Sequence, residues 1–330
     1  MMINFQMGRS IPSMAGLYQT REAGVITIAS MTTMRIMTLD DVDLGMRLKS
    51  AAGWNQTQAD WHRFLRLSPG GCFVASVDGS DVGTVASFQF GDVAWIAMVL
   101  VDSSARGCGV GTALMQHTLE HLDHGGVGSV RLDATPMGRP IYEKLGFEAQ
   151  FELARYAGRL TARGGADADV DDDTRMGGAI GGEGDAAGGV VRELVADDLS
   201  AVAAFDEAIT STQRRPLLEA LFDDRPLMAR GVFDDQGRVR AFMFMREGAN
   251  AIQIGPAAGD DDAILKLMHG LPAAAMQDDV FVDLPLRRQA LTAWAEASGL
   301  AVQRPLYRMC RGRQVTDDER LACSSGPEKG

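Results

Sequence analysis

No apolar run in the 330-residue chain approaches the ~18 residues a membrane-crossing helix needs, so no such span is expected. Cysteine is scarce: Cys72, Cys108, Cys310 and Cys323 are scattered without CxxC or any other ligand spacing. That speaks against a disulfide framework or a zinc site, and a reducing cytoplasm is the expected compartment. The five histidines include no HExxH pattern. His117, His121 and His124 fall on one prospective helix face with no Cys or acidic partners, so a solvated face is expected and no metal. Positive charge is also in deficit, with 32 Lys and Arg against 44 Asp and Glu and a formal net charge of -12. A phosphate backbone needs a positive face, so nucleic acid is not an expected partner. An acidic surface favours cationic ligands, amines among them, but such a balance is common and decides little. The amino terminus, residues 1–33, lacks the basic start, apolar middle and small-residue end of a secretory signal and reads as a flexible extension.

What is present is a composition able to bury real cores, 46% hydrophobic and 23% charged, over a length that suggests two domains. Residues 161–189 are Gly, Ala and Asp with almost nothing to bury, which reads as a self-repelling flexible linker. The flanking segments, 34–160 and 190–313, look like copies. Arg35-Ile-Met-Thr-Leu-Asp-Asp-Val matches Arg192-Glu-Leu-Val-Ala-Asp-Asp-Leu. Near the other ends, Gly146 aligns with Gly299, Phe147 with Leu300 and Arg155 with Arg308. Internal duplication is therefore expected, with a polar, disordered tail over 314–330.

In the first copy, helical patterning covers 40–48 and 56–67. Three β-branched runs near 71–77, 82–90 and 93–101 are separated by Asp78-Gly79 and Gly91-Asp92, pairs that suit hairpin turns. A helix over 111–122, a strand over 129–133, a short helix over 140–145 ending at Gly146 and a last strand over 148–156 follow. The chemistry centres on Val101-Asp102-Ser103-Ser104-Ala105-Arg106-Gly107-Cys108-Gly109-Val110-Gly111-Thr112. A strand end, a glycine-rich turn and a helix start together make an anion site. The first helical amides have no internal partner, and missing side chains let a pyrophosphate approach. Two other readings stay open: a tight turn that merely needs glycine, and a Rossmann dinucleotide site, for which Asp133 ends the next strand at a suitable distance. Against the latter, three hairpin-linked strands precede the turn, and Thr112 stands where the third glycine belongs.

Here the sequence resembles the GNAT superfamily of acyltransferases. Arg106-Gly107-Cys108-Gly109-Val110-Gly111 matches that family's Arg/Gln-x-x-Gly-x-Gly/Ala signature, and Tyr142-Glu143-Lys144-Leu145-Gly146-Phe147 matches its closing Tyr and Gly-Phe. The layout resembles two-domain GNAT proteins whose second domain is a diverged copy. The resemblance implies an α/β (α+β) fold of two GNAT-like domains, each a mixed, largely antiparallel sheet flanked by helices. It implies that acetyl-CoA is co-substrate, held by Met98, Val99, Leu100 and Val101 of a splayed strand, by Arg106 to Thr112, and by Thr135, where the family often has Asn. It implies Tyr142 as the general acid that protonates the departing thiolate, although a Tyr packed for its ring is the plainer alternative. Asp133 and His62 are candidate bases, beside a water relay that needs neither. Trp54 and Asn55 fall where the family places its acceptor pocket, and Trp54 is equally an ordinary core candidate.

The second copy lacks the equipment. Ala295 stands at the position of the acid Tyr, and Asp260, Asp261 and Asp262 open the helix where a pyrophosphate would be repelled. That copy is expected to be non-catalytic, and to cover the first copy's acceptor pocket or to pair chains into a homodimer. Phe242, Met243 and Phe244 read as sheet core. The function expected is N-acetyl transfer to a primary amine, a small molecule rather than a protein lysine. A non-catalytic acyl-CoA sensor and a nicotinamide-dependent oxidoreductase are the alternatives.

Overall fold

The structure, a computed structural model, describes residues 32–161, 189–224 and 226–326. Apart from its edge residues, the expected linker lies outside the described residues, as does the amino-terminal extension up to Met31. The first half runs β1 (Thr32–Ile36), α1 (Val42–Ala51), α2 (Gln58–Leu67), β2 (Cys72–Val77), β3 (Ser80–Phe90), β4 (Val93–Val101), α3 (Val110–His124), β5 (Ser129–Ala134), α4 (Arg139–Lys144) and β6 (Glu148–Arg159). The second half follows with β7 (Val190–Glu193), α5 (Leu199–Thr210), α6 (Arg215–Asp223), β8 (Met228–Phe233), β9 (Val239–Arg246), β10 (Ile252–Gly259), α7 (Asp261–His269), α8 (Ala274–Gln277), β11 (Asp279–Pro285), α9 (Gln289–Ala297), β12 (Ala301–Gly312) and β13 (Leu321–Cys323). The result is an α/β fold whose two halves repeat one order around a mixed, mostly antiparallel sheet.

Local chemistry sets these elements. In α2, Trp61, Phe64 and Leu65 are buried at helical spacing, while His62 faces solvent. The helix begins at Gln58 because Asp60 accepts hydrogen bonds from the Thr57 backbone N–H (2.8 Å) and hydroxyl (3.2 Å). Gln56 is therefore left in the loop before it. On α3, His117 and His121 are not simply solvated, since both rings meet the edge or face of Phe73 at centroid distances of 4.6 and 5.3 Å.

The halves are joined through a single sheet of order β1-β2-β3-β4-β5-β12-β6-β11-β10-β9-β8-β7, with β13 off this path against β10. The last strands are exchanged: β12 of the second half lies against β5 of the first, and β6 of the first lies against β11 of the second. The expected boundary near residue 160 therefore does not separate two closed sheets. Each exchanged strand brings one buried arginine onto an aspartate of the other half. Arg155 meets Asp283 with two bonds of 2.8 Å, and Arg308 meets Asp133 at 2.6 and 3.2 Å.

The tail is the chief correction to the sequence reading. Residues 314–326 are structured, not disordered: the polar run carries one group that the interior needs. Asp317 is buried and binds Arg131 at 2.9 and 2.7 Å and Arg308 at 2.6 Å. Burial pushes its pKa up, but Arg131 and Arg308 together hold it below the ordinary carboxylate range.

A common apolar core completes the union, with Trp61, Phe64, Phe88 and Met98 packed in one cluster with Val202, Leu218, Phe242 and Phe244. Asn55 ties the first half to the loop before β10, accepting from Asn250 N–H (2.9 Å) and Ala251 N–H (3.0 Å) and donating to the Ala251 carbonyl (3.0 Å). Asp317→Ala leaves two buried guanidinium groups short of a counter-charge. It is expected to cost about 3–5 kcal/mol, as for other broken buried pairs, read as a lowered urea midpoint; a change under about 0.5 kcal/mol would show that the tail is not a structural clamp.

Candidate active site

The site begins with a defect in β4. On the β3 side, Ala97 pairs with Ala86 and Leu100 with Thr84, so Met98 and Val99 together oppose Val85, which is a β-bulge. Met98 adopts a left-handed φ of 55°, and the buried Thr84 hydroxyl holds its carbonyl at 3.2 Å. On the other side, β4 pairs with β5 in parallel only at Val93, Ala94 and Trp95. Beyond Trp95 the two strands part, and a cavity of about 780 Å³ opens between them. That is ample for a small-molecule site.

Beneath the fork lies the glycine turn. Gly107 and Gly109 hold φ values of 79° and 83°, and a Cβ on either would project into open space. Gly109 is the N-cap of α3, and the first helical bond runs from Ala113 N–H to the Gly109 carbonyl (2.9 Å). The amides of Val110, Gly111 and Thr112 are thus left outside the helical ladder, at its positive end. The Arg106 Nε donates to the Val101 carbonyl at 3.0 Å, fixing the guanidinium where β4 ends. This bare, positively polarised surface fits the diphosphate of an acyl-CoA, with glycine where a side chain would occupy the ligand's space.

The cavity wall gathers most of the residues singled out from sequence: Met98, Val99, Leu100, Val101, Arg106, Gly107, Gly109, Val110, Gly111, Thr112, Thr135, Tyr142, Asp133 and Trp54. Cys108 is the member of the turn that does not line it; its side chain is exposed, with Sγ 3.8 Å from the Arg106 carbonyl. The Thr135 hydroxyl accepts from Gly138 N–H at 3.2 Å, so it braces the turn into α4. The Tyr142 ring packs against Phe147, and burial pushes its pKa up to about 12. Its phenol therefore stays protonated near neutrality, as a proton donor must.

Three sequence assignments change. Asp133 is not a free base, because both of its oxygens are bound by Arg308. Burial pushes its pKa up against the opposing pull of that guanidinium. His62 is exposed on α2, outside the cavity, as the helix period dictates. Asn55 is spent on the second half's loop rather than on an acceptor. Its neighbour Gln56 lines the cavity instead, a difference set by the late start of α2. Arg304 and Leu306 also line it. They come from β12, and no signal in the first half could have revealed residues that strand exchange delivers.

The second half builds the same fork and closes it. β10 pairs with β11 in parallel only at Ile252, Gln253 and Ile254. There β13 enters, pairing Cys323 with Ala257 and Leu321 with Ala258, while Ser324 N–H reaches the Asp283 carbonyl at 3.3 Å. The fit is so close that a Cβ at Gly255 would collide with the Ser324 carbonyl. At the helix below, Asp260 caps α7 through Ala263 N–H (3.0 Å), and Arg288 pairs with Asp261 at 2.6 Å, so the anion site is already satisfied internally.

Comparison with known proteins agrees with this geometry. Residues 39–147 match the model of the acetyltransferase (GNAT) family, and residues 202–321 match that of an acetyltransferase (GNAT) domain. A holothin acyltransferase from Pseudoalteromonas sp. (strain SANK 73390) is 24% identical over 267 residues, covering 80% of this chain and 82% of that one. Two solved structures share the fold across the chain. One is a protein from Pyrococcus horikoshii (TM-score 0.67, 18% identity, covering 95% of this chain and 100% of that one). The other is a tandem GNAT protein from the clavulanic acid biosynthesis pathway (TM-score 0.58, 16% identity, covering 87% and 100%). With a GNAT match on each half, the chain belongs to the GNAT superfamily of acyl-CoA-dependent acyltransferases, in its tandem form with a diverged second domain.

Proposed function

We propose that the first half transfers an acetyl group from acetyl-CoA to a primary amine of a small molecule, while the second half serves as scaffold. The observation that carries this reading is the meeting of three features in one cavity: the parted β4 edge, the amides that open α3, and the protonated phenol of Tyr142. The similarity to a holothin acyltransferase over most of the chain supports acyl transfer in general. A cavity walled partly by Arg304 and Leu306 of β12 supports a discrete acceptor, because the second half forms part of its lining.

The amine lone pair attacks the thioester carbonyl carbon, forming the C–N bond as the C–S bond breaks. A backbone N–H near Leu100 receives the oxyanion. The Tyr142 phenol gives its proton to the departing sulfur, and the surplus proton on nitrogen returns through solvent to the phenolate. Products are the amide and the free thiol.

Tyr142→Phe is expected to lower kcat by about 10²–10⁴-fold in a thiol-release assay, with acetyl-CoA binding unchanged by calorimetry; undiminished turnover would remove the acid role. Since the acid form persists to about pH 12 in the free protein, kcat/KM should show no alkaline fall below about pH 10 from this group. A fall near pH 8 would assign the acid elsewhere. Gly109→Val places a side chain at φ 83° in the cradle and should weaken acetyl-CoA binding at least about tenfold by calorimetry. Unaltered affinity would move the diphosphate away from this turn.

A further inference from the structure

We infer that the acceptor is a weakly basic amine, uncharged near neutral pH, such as an arylamine or a heteroaromatic amine, and that Gln56 receives and orients it. This rests on the acyl-transfer reading above and names its substrate class.

Three observations converge. First, Gln56 lines the cavity, is only 5% exposed, and its Oε1 has no hydrogen-bond partner among the described residues. A buried carbonyl oxygen seeks a donor, and within this cavity the fitting donor is an N–H of the acceptor. Second, among the described lining residues no carboxylate or imidazole is free to take a proton. Asp133 is the one acidic group on the wall and is held by Arg308, while His62 lies outside. An alkylamine with pKa near ~10.4 is neutral to only about one part in a thousand at pH 7.4. It would have to lose its proton to a water relay, because no described side chain on this wall is free to take it. An amine whose conjugate acid has already lost its proton needs no such relay. Third, the remaining charged residues of the wall, Arg106 and Arg304, are cationic, and its apolar lining includes Trp54, Leu306 and Met137. A polyamine or aminoglycoside meets, among the described lining residues, only an aspartate already paired with Arg308, whereas a flat apolar amine meets an indole and aliphatic side chains.

The geometry gives Gln56 a defined role. By accepting one N–H, Oε1 turns the nitrogen lone pair away from itself, and an uncharged amine retains that lone pair for attack on the thioester carbon. The bonds made and broken are those already given for the transfer.

The test uses the full chain, acetyl-CoA and thiol release at pH 7.5, comparing anilines and aminothiazoles with alkylamines, spermidine and an aminoglycoside. Arylamines are expected to exceed alkylamines in kcat/KM by about tenfold or more. A higher kcat/KM for spermidine or the aminoglycoside would overturn this inference while leaving acyl transfer standing. Heat on binding coenzyme A with no turnover on any amine would instead overturn the transfer reading itself. Gln56→Leu should raise the acceptor KM about tenfold with the acetyl-CoA KM unchanged. Gln56→Glu should shift the arylamine to alkylamine ratio about tenfold toward alkylamines, because a carboxylate both attracts and deprotonates an ammonium. An unshifted ratio in a Gln56→Glu protein with wild-type acetyl-CoA KM would remove Gln56 from acceptor recognition. Should neither variant fold, the wild-type panel still decides the substrate class.

Discussion

The whole assembly turns on one carboxylate. Asp317 is buried between Arg131 of β5 and Arg308 of β12, and these three charges neutralise one another together with Asp133. The Arg155–Asp283 and Arg308–Asp133 pairs alone would not decide how the strands are arranged. Each arginine lies nine residues beyond the matching glycine of its copy, so either could meet the aspartate of its own half equally well. Asp317 removes that symmetry. The position corresponding to Arg131 in the second half's strand β11 is Phe281, which offers no second guanidinium. The Arg131–Asp317–Arg308 bridge therefore forms only when β12 lies beside β5. Buried ion pairs add little net stability against a well-packed apolar alternative, but breaking one is costly, so β12 placed elsewhere would leave buried charges without these partners.

Exchange makes the active cavity a product of both halves. Arg304 and Leu306 reach the first fork only because β12 has crossed over, and Asn55 holds the second half's loop instead of lining the cavity. Trp54 and Gln56, from the loop before α2, both line the cavity. The second half thus supplies part of the first half's cavity wall, while its own fork is filled by β13.

Much of this was legible in the sequence where short-range rules operate. Hairpin dipeptides, the glycine turn, the α3 start and the Tyr-to-Gly-Phe spacing depend on neighbours within a few residues, and each element falls within a few residues of its expected place. The duplication was legible through Gly146 with Gly299 and Arg155 with Arg308. Strand exchange was not, because alternation of apolar residues along β6 and β12 reads the same whichever half they join. The tail was misread because polar composition suggests disorder, while Asp317, Leu321 and Cys323 act through contacts far away in sequence. Asp133 looked like a base because a lone acidic residue at a strand end carries no sign of the arginine that a strand 175 residues later brings to it.

The contrast between the two forks explains what the open one is for. When parallel strands part, the facing edges lose ladder partners, and backbone N–H and C=O groups in the interior must find others. In the second half the chain answers with its own peptide: β13 lies along β10 and presents the amides and carbonyls that β11 no longer supplies. The first half has the same bulged, parted edge with no strand of the described residues laid along it, and a glycine turn with free helical amides at its base where the second has capping aspartates. Such an edge suits a ligand that is extended, carries amide groups along an apolar arm, and ends in a diphosphate, as the acyl-CoA proposed above does. Pantetheine joined to a nucleotide has that form, and β13 shows within the same molecule that such an edge accepts an amide-bearing chain.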